Sequence, residues 1–123
     1  MNKKLEKWKF GINNNNLIEL VLSGQKTATT SLYFSYINNK EPLPKVGDKS
    51  IILYDNDEEA CTIEIEKVII TEFKNITPEI AYLEGEGDKS LEYYKNVHNY
   101  FFKSIYPEFN ENSKVVIEIF KVI

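Results

Sequence analysis

The chain has no arginine, and only one histidine, one cysteine and one tryptophan among its 123 residues. Without arginine there is no guanidinium fork to grip a phosphate or a guanine edge, so any anion must be held by lysine or by backbone N–H groups. A lone cysteine, Cys61, cannot close an internal disulfide. Cys61 and a single, distant His98 do not make a zinc ligand set. No window approaches the roughly 18 apolar residues needed to span a bilayer. No apolar stretch follows the basic start Met1–Glu6, and there is no repeat or low-complexity tail. The expectation is one cytoplasmic, soluble domain over residues 1–123, away from membranes, with Cys61 a small buried hydrophobe in a strand.

What is present suits a packed core. Hydrophobic residues make up 42% and aromatics 13% of the chain, and a domain of this length buries roughly two-thirds of its unfolded surface without staples. Net charge is −4, which excludes coating nucleic acid by charge alone. The charge is uneven. Residues 1–54 carry eight lysines and four acids, and residues 55–123 carry seven lysines and fifteen acids. If the halves occupy different faces, one rim attracts a phosphate that the other repels.

Asparagines 13–16 offer a cap for an apolar helix over about 14–23, with Gly24 as its stop. Thr27–Ser31 suits a short extended segment, and Leu32–Ile37 an aromatic helical turn. Ser50–Tyr54 and Cys61–Phe73 alternate as a β-hairpin around a polar turn. Thr77-Pro78-Glu79 opens a helix to about Leu83. The longest helix spans about 90–105, with Leu91, Tyr94, His98, Phe101 and Ile105 on one stripe. Val115–Val122 alternates as a closing strand. The pattern is α+β: a mostly antiparallel sheet curled into a small barrel, with helices at its side.

Three features can carry chemistry. In Gly24-Gln25-Lys26-Thr27-Ala28-Thr29 a lysine stands three residues before a hydroxyl; a desolvated Lys26 would act as a base toward Thr29. An ordinary loop with an exposed lysine fits the same spacing. Glu84-Gly85-Glu86-Gly87-Asp88 packs three carboxylates into five residues, as acid–base groups, metal ligands or ligand acceptors, or as a plain acidic turn capping the next helix at Asp88 or Ser90. His98 lies on the apolar stripe beside that loop, as a core residue with one hydrogen-bond partner or as a member of a site.

These segments also carry a resemblance. Leu20–Thr29 resembles the Gly-x-Lys-x-x-Thr/Ser motif of ASCH domains, and Pro42–Asp48 resembles that family's approach to its first barrel strand. Glu84–Tyr94, His98 and Phe101-Phe102 resemble the signature of the bacterial branch, with Tyr94 where tryptophan is usual. The resemblance runs over about residues 8–122. It implies a PUA-like fold, a small β-barrel with flanking helices and a cleft lined by the lysine motif, and RNA or a small nucleoside as partner. Shorter bacterial members are amidohydrolases that deacetylate acetylcytidine; others are metal-dependent ribonucleases. The acidic loop here is longer than in the amidohydrolases. Carried over, the resemblance implies Lys26 as general base, Thr29 as nucleophile and Glu84 as orienting acid or base, with an oxyanion hole of N–H groups near Gly24. Gly24, Thr27, Glu86, Asp88, Ser90, Tyr94 and His98 are expected around the ligand, with no metal and no cofactor. The alternatives are a non-catalytic RNA- or nucleotide-binding module, and a metal-dependent ribonuclease using Glu84, Glu86 and Asp88.

Overall fold

The computed structural model describes residues 5–123, and its centre is a five-stranded sheet in the order β1-β3-β4-β5-β2. The strands are β1 (Glu6–Trp8), β2 (Ala28–Leu32), β3 (Lys49–Leu53), β4 (Glu59–Glu72) and β5 (Lys114–Val122). All pairings are antiparallel except β1 on β3, and among the described residues the strand order leaves β1 and β2 at the edges. Register shifts around Glu66 and Ala60 bulge the long strand β4, and such bulges bend a sheet. The outcome is a curled half-barrel of the PUA-like, α+β type expected from the pattern.

Among the described residues four α-helices dress it: α1 (Asn14–Leu22), α2 (Tyr33–Asn38), α3 (Pro78–Glu84) and α4 (Leu91–Ile105). One core cluster gathers Phe73, Phe102, Phe109, Val115 and Ile117 between the sheet and α3–α4. A second joins Ile18 and Val21 of α1 to Ile52, Ile63 and Phe120. Among the described residues no helix is long and apolar enough to cross a membrane.

The expected elements are found within one or two residues, but five details differ. Strand β1 was not foreseen; its three residues alternate no more than a loop does, and only pairing with β3 makes it a strand. Asn13 sits at φ 50° and makes no side-chain cap bond. The asparagine at work is Asn14, which accepts from Phe10 N at 2.7 Å and donates to Leu53 O at 2.9 Å and Asp55 Oδ1 at 3.0 Å. On α4 the buried face is Tyr94, His98 and Phe102, while Ile105, in the last turn, is 49% exposed. Cys61 is half-buried rather than buried, at the margin of the second cluster. Glu84 was placed in the acidic loop and instead closes α3.

Candidate active site

Lys26 is buried by the way two chain ends meet. After α1 the backbone turns at Gly24, with φ +84°, and Lys26 N donates to Leu20 O at 3.0 Å. Thr27 N then donates to Leu83 O at 2.8 Å, tying this turn to the end of α3. Helix α3 ends in turn on Gly85 in the left-handed region, where a side chain would collide with the carbonyl of Gln25. Glycine is required there by conformation and by space. Gln25 Nε2 donates back to Gly85 O at 2.7 Å. The two segments, sixty residues apart, therefore dock backbone to backbone.

The docking drives the lysine into a polar cluster. Lys26, 1% exposed, places Nζ 2.9 Å from Glu84 Oε1 and 2.8 Å from Glu86 Oε2, and also donates to Glu84 O at 3.3 Å. The other carboxylate oxygen of Glu84 accepts from Thr30 Oγ1 at 2.6 Å. Since that hydroxyl proton is committed, Tyr94 Oη, 2.7 Å away, donates to Thr30. His98 Nδ1 donates to Tyr94 O at 2.9 Å, and its Nε2 lies 3.7 Å from Glu84 Oε1. Among the described residues no buried side-chain nitrogen or oxygen lacks a partner, which is the condition for tolerating buried charge.

The electrostatics divide the groups sharply. Burial would depress the Lys26 ammonium, but attraction and hydrogen bonds from Glu84 and Glu86 outweigh it and raise its pKa. Burial would raise Glu84, but Lys26, and then His98, hold it down to about 2. Glu86 has the same burial penalty and a carboxylate for a neighbour; Lys26 offsets these only in part, and it is pushed up to about 7. Burial lowers His98 and raises Tyr94. Near neutral pH the cluster holds one fixed ammonium, one fixed carboxylate, and one carboxyl group poised to gain or lose a proton.

A cavity of about 300 Å³ opens beside this cluster, between the edge strand β2, the strap running on from β1, and α4. Trp8, Phe10, Phe101 and Phe102 give it aromatic walls, and Lys26, Glu84 and Glu86 stand at one end. Small, apolar, partly enclosed volumes with a few convergent polar groups are the usual form of a ligand site.

Of the residues singled out in the sequence, Lys26, Glu84, Glu86, Tyr94 and His98 come together here, and Thr29 lines the same cavity. Thr27 stands beside the cluster, its hydroxyl 3.4 Å from Leu83 O. Gly24, Asp88 and Ser90 do not line it: Asp88 Oδ1 accepts from Ser90 N at 2.9 Å, and Ser90 caps α4 through Tyr93 N. The N–H groups near Gly24 are not an oxyanion hole, because those of Gly24 and Lys26 close α1 and that of Gln25 meets Ser23 Oγ. The raised pKa of Lys26 opposes the free-base role expected of it. Thr30 was missed; adjacent strand residues face opposite ways, and only the position of Glu84 reveals that Thr30 is the hydroxyl on its side. Carboxylates of Glu84 and Glu86 and a nitrogen of His98 lie within 4.8 Å of one another. This donor set does not fit a metal ion, because the Lys26 ammonium already stands against both carboxylates as their cation.

The chain belongs to the ASCH domain family, whose profile matches residues 6–123. An ASCH domain from Lactobacillus crispatus JV V101 is 30% identical, with a TM-score of 0.87 over 96% of this chain and 79% of that one. A protein from Enterococcus faecalis V583 is also 30% identical, with a TM-score of 0.91 over 100% and 78%. An ASCH protein from Zymomonas mobilis, 13% identical with a TM-score of 0.58 over 97% and 68%, shares the fold. No curated protein matches the chain.

Proposed function

We propose that the protein hydrolyses an amide on a nucleoside base, of the acetylcytidine type. The observation that carries this reading is the pairing of a fixed ammonium with a carboxyl of pKa about 7 at the end of an aromatic cavity. The aromatic walls suit a planar ring, and the polar end suits an acyl group projecting from it. Glu86 in its ionised form, the carboxyl having been pushed up to about 7, takes a proton from water as the oxygen bonds to the acyl carbon. The Lys26 ammonium stabilises the oxyanion that forms. Glu86 then passes its proton to the departing exocyclic amine of the base as the acyl C–N bond breaks, releasing a carboxylic acid and the deacylated nucleoside. Glu84 keeps Lys26 charged and in place. Thr29 meets the ligand from the other face of β2.

The test is a screen of N4-acetylcytidine, its deoxyriboside, N4-acetylcytosine and a short RNA, each with and without chelator. Loss of the acetyl group, unaffected by chelator, is the expected result. RNA cleavage that chelator abolishes would replace this reading with the ribonuclease one, and binding without turnover would replace it with a recognition module.

A further inference from the structure

The cavity has a second polar end that the hydrolytic cluster does not use. Helix α2 and strand β2 bring Tyr36, Ser31 and Thr29 to its wall. Behind them Glu118 of β5 stands opposite Thr29 in the sheet register and accepts from Tyr36 Oη at 3.3 Å. Strand neighbours alternate, so Glu118 shares its face with Val116 and Phe120, which are 0% and 2% exposed. Glu118 is half-buried, with Thr29 and Ser31 of β2 on the same face, and its burial, together with Asp48 and Glu6, raises its pKa. Thr30 faces the Lys26 cluster, so the edge strand separates two polar poles, one for each end of a ligand.

We propose that Tyr36, with Ser31 and Thr29, is the pole that reads the sugar, and that Glu118 is its positioning residue. This rests on the nucleoside reading of the site. With its proton committed to Glu118, the Tyr36 phenol presents its oxygen as an acceptor for a ligand hydroxyl. Serine and threonine add hydroxyls that donate or accept. A site built to hydrogen-bond a hydroxyl rejects the analogue lacking it more strongly than an apolar pocket rejects an added group. The selected class is therefore the ribonucleoside over the 2′-deoxyribonucleoside.

The experiment compares N4-acetylcytidine with N4-acetyl-2′-deoxycytidine, by kcat/KM and by calorimetric binding, in wild type, Tyr36→Phe, Glu118→Gln and Glu118→Val. Wild type should prefer the riboside by about 10-fold or more. Tyr36→Phe and Glu118→Val should bring the ratio near one through KM, and Glu118→Gln, which keeps an acceptor, should restore part of it. Glu118→Val should also fold, since Glu118 is only half-buried. A wild-type ratio near one, or a ratio that survives Tyr36→Phe and Glu118→Val, overturns the assignment. So does a Glu118→Val chain that loses stability with its preference intact. If neither compound is hydrolysed, the hydrolytic reading fails, and the binding ratio alone still decides this one.

Discussion

Glu84 and Asp88 belong to one acidic run of five residues, yet they end in opposite circumstances. Glu84 is 1% exposed, paired with Lys26 and bonded to Thr30. Asp88 is fully exposed, and its pKa is lowered chiefly by its hydrogen bonds to Ser90. Between them Glu86 is half out of the cluster and has the raised pKa. Composition is the same along the run; what differs is how many partners the fold supplies. A single buried ammonium satisfies one carboxylate completely and leaves the second undecided, and that incomplete neutralisation supplies a group able to move a proton near pH 7.

Removing the shared cation should break the contrast most severely. Lys26→Met leaves Glu84 buried without its charge partner, a change that costs about 3–5 kcal/mol in comparable buried pairs, read as a lower urea midpoint. Turnover should fall by at least about 10²-fold. Retained hydrolysis in a folded variant would remove Lys26 from the mechanism.

Glu86→Gln should leave the chain folded but lower turnover by about 10²–10⁴-fold. In wild type, kcat should rise with pH through about 7 as Glu86 ionises, and in the variant this limb should vanish. The two acids also leave opposite marks on stability. Glu84, lowered from 4.5 to about 2, contributes stability that is complete above 4.5 and lost as pH falls toward 2. Glu86, raised from 4.5 to about 7, favours the folded state below 4.5, and that contribution is lost as pH rises through 7. Glu86→Gln should flatten the decline between pH 5 and 8 in urea titrations.

The two threonines sharpen the comparison further. Thr30→Ala should reduce kcat by about 10-fold by loosening Glu84, whereas Thr29→Ala should act on KM. If Thr29→Ala instead abolishes turnover, and wild type accumulates an acyl-enzyme visible by mass spectrometry, Thr29 is the nucleophile and water attacks second. The smallest effect belongs to the exposed end of the run. Ser90→Ala removes the α4 cap and should cost about 1 kcal/mol, with kcat unchanged.

Much of this was legible in the chain. Alternation and caps located β3, β4, β5, α1, α3 and α4, because those periods follow from burying one face. The pairing of Lys26 with Glu84 came from family resemblance and not from spacing, since nothing local says that residues 58 apart meet. Short β1 was illegible because its order comes from β3. The charge state of Lys26 was illegible for a related reason: it depends first on Glu84 and then on Glu86, which only the fold brings against it. The choice between Thr29 and Thr30 hangs on the phase of one five-residue strand, which no sequence pattern fixes to within a residue.

The close approach of Gly85 to Gln25 has a consequence for engineering. The lysine turn and the end of α3 share a single interface with no room for a methyl group, so neither can be moved, lengthened or transplanted without the other. A designer wishing to install this proton-handling unit in a foreign scaffold would have to graft two separate pieces of chain as a single matched part, with the glycine as its hidden fastener.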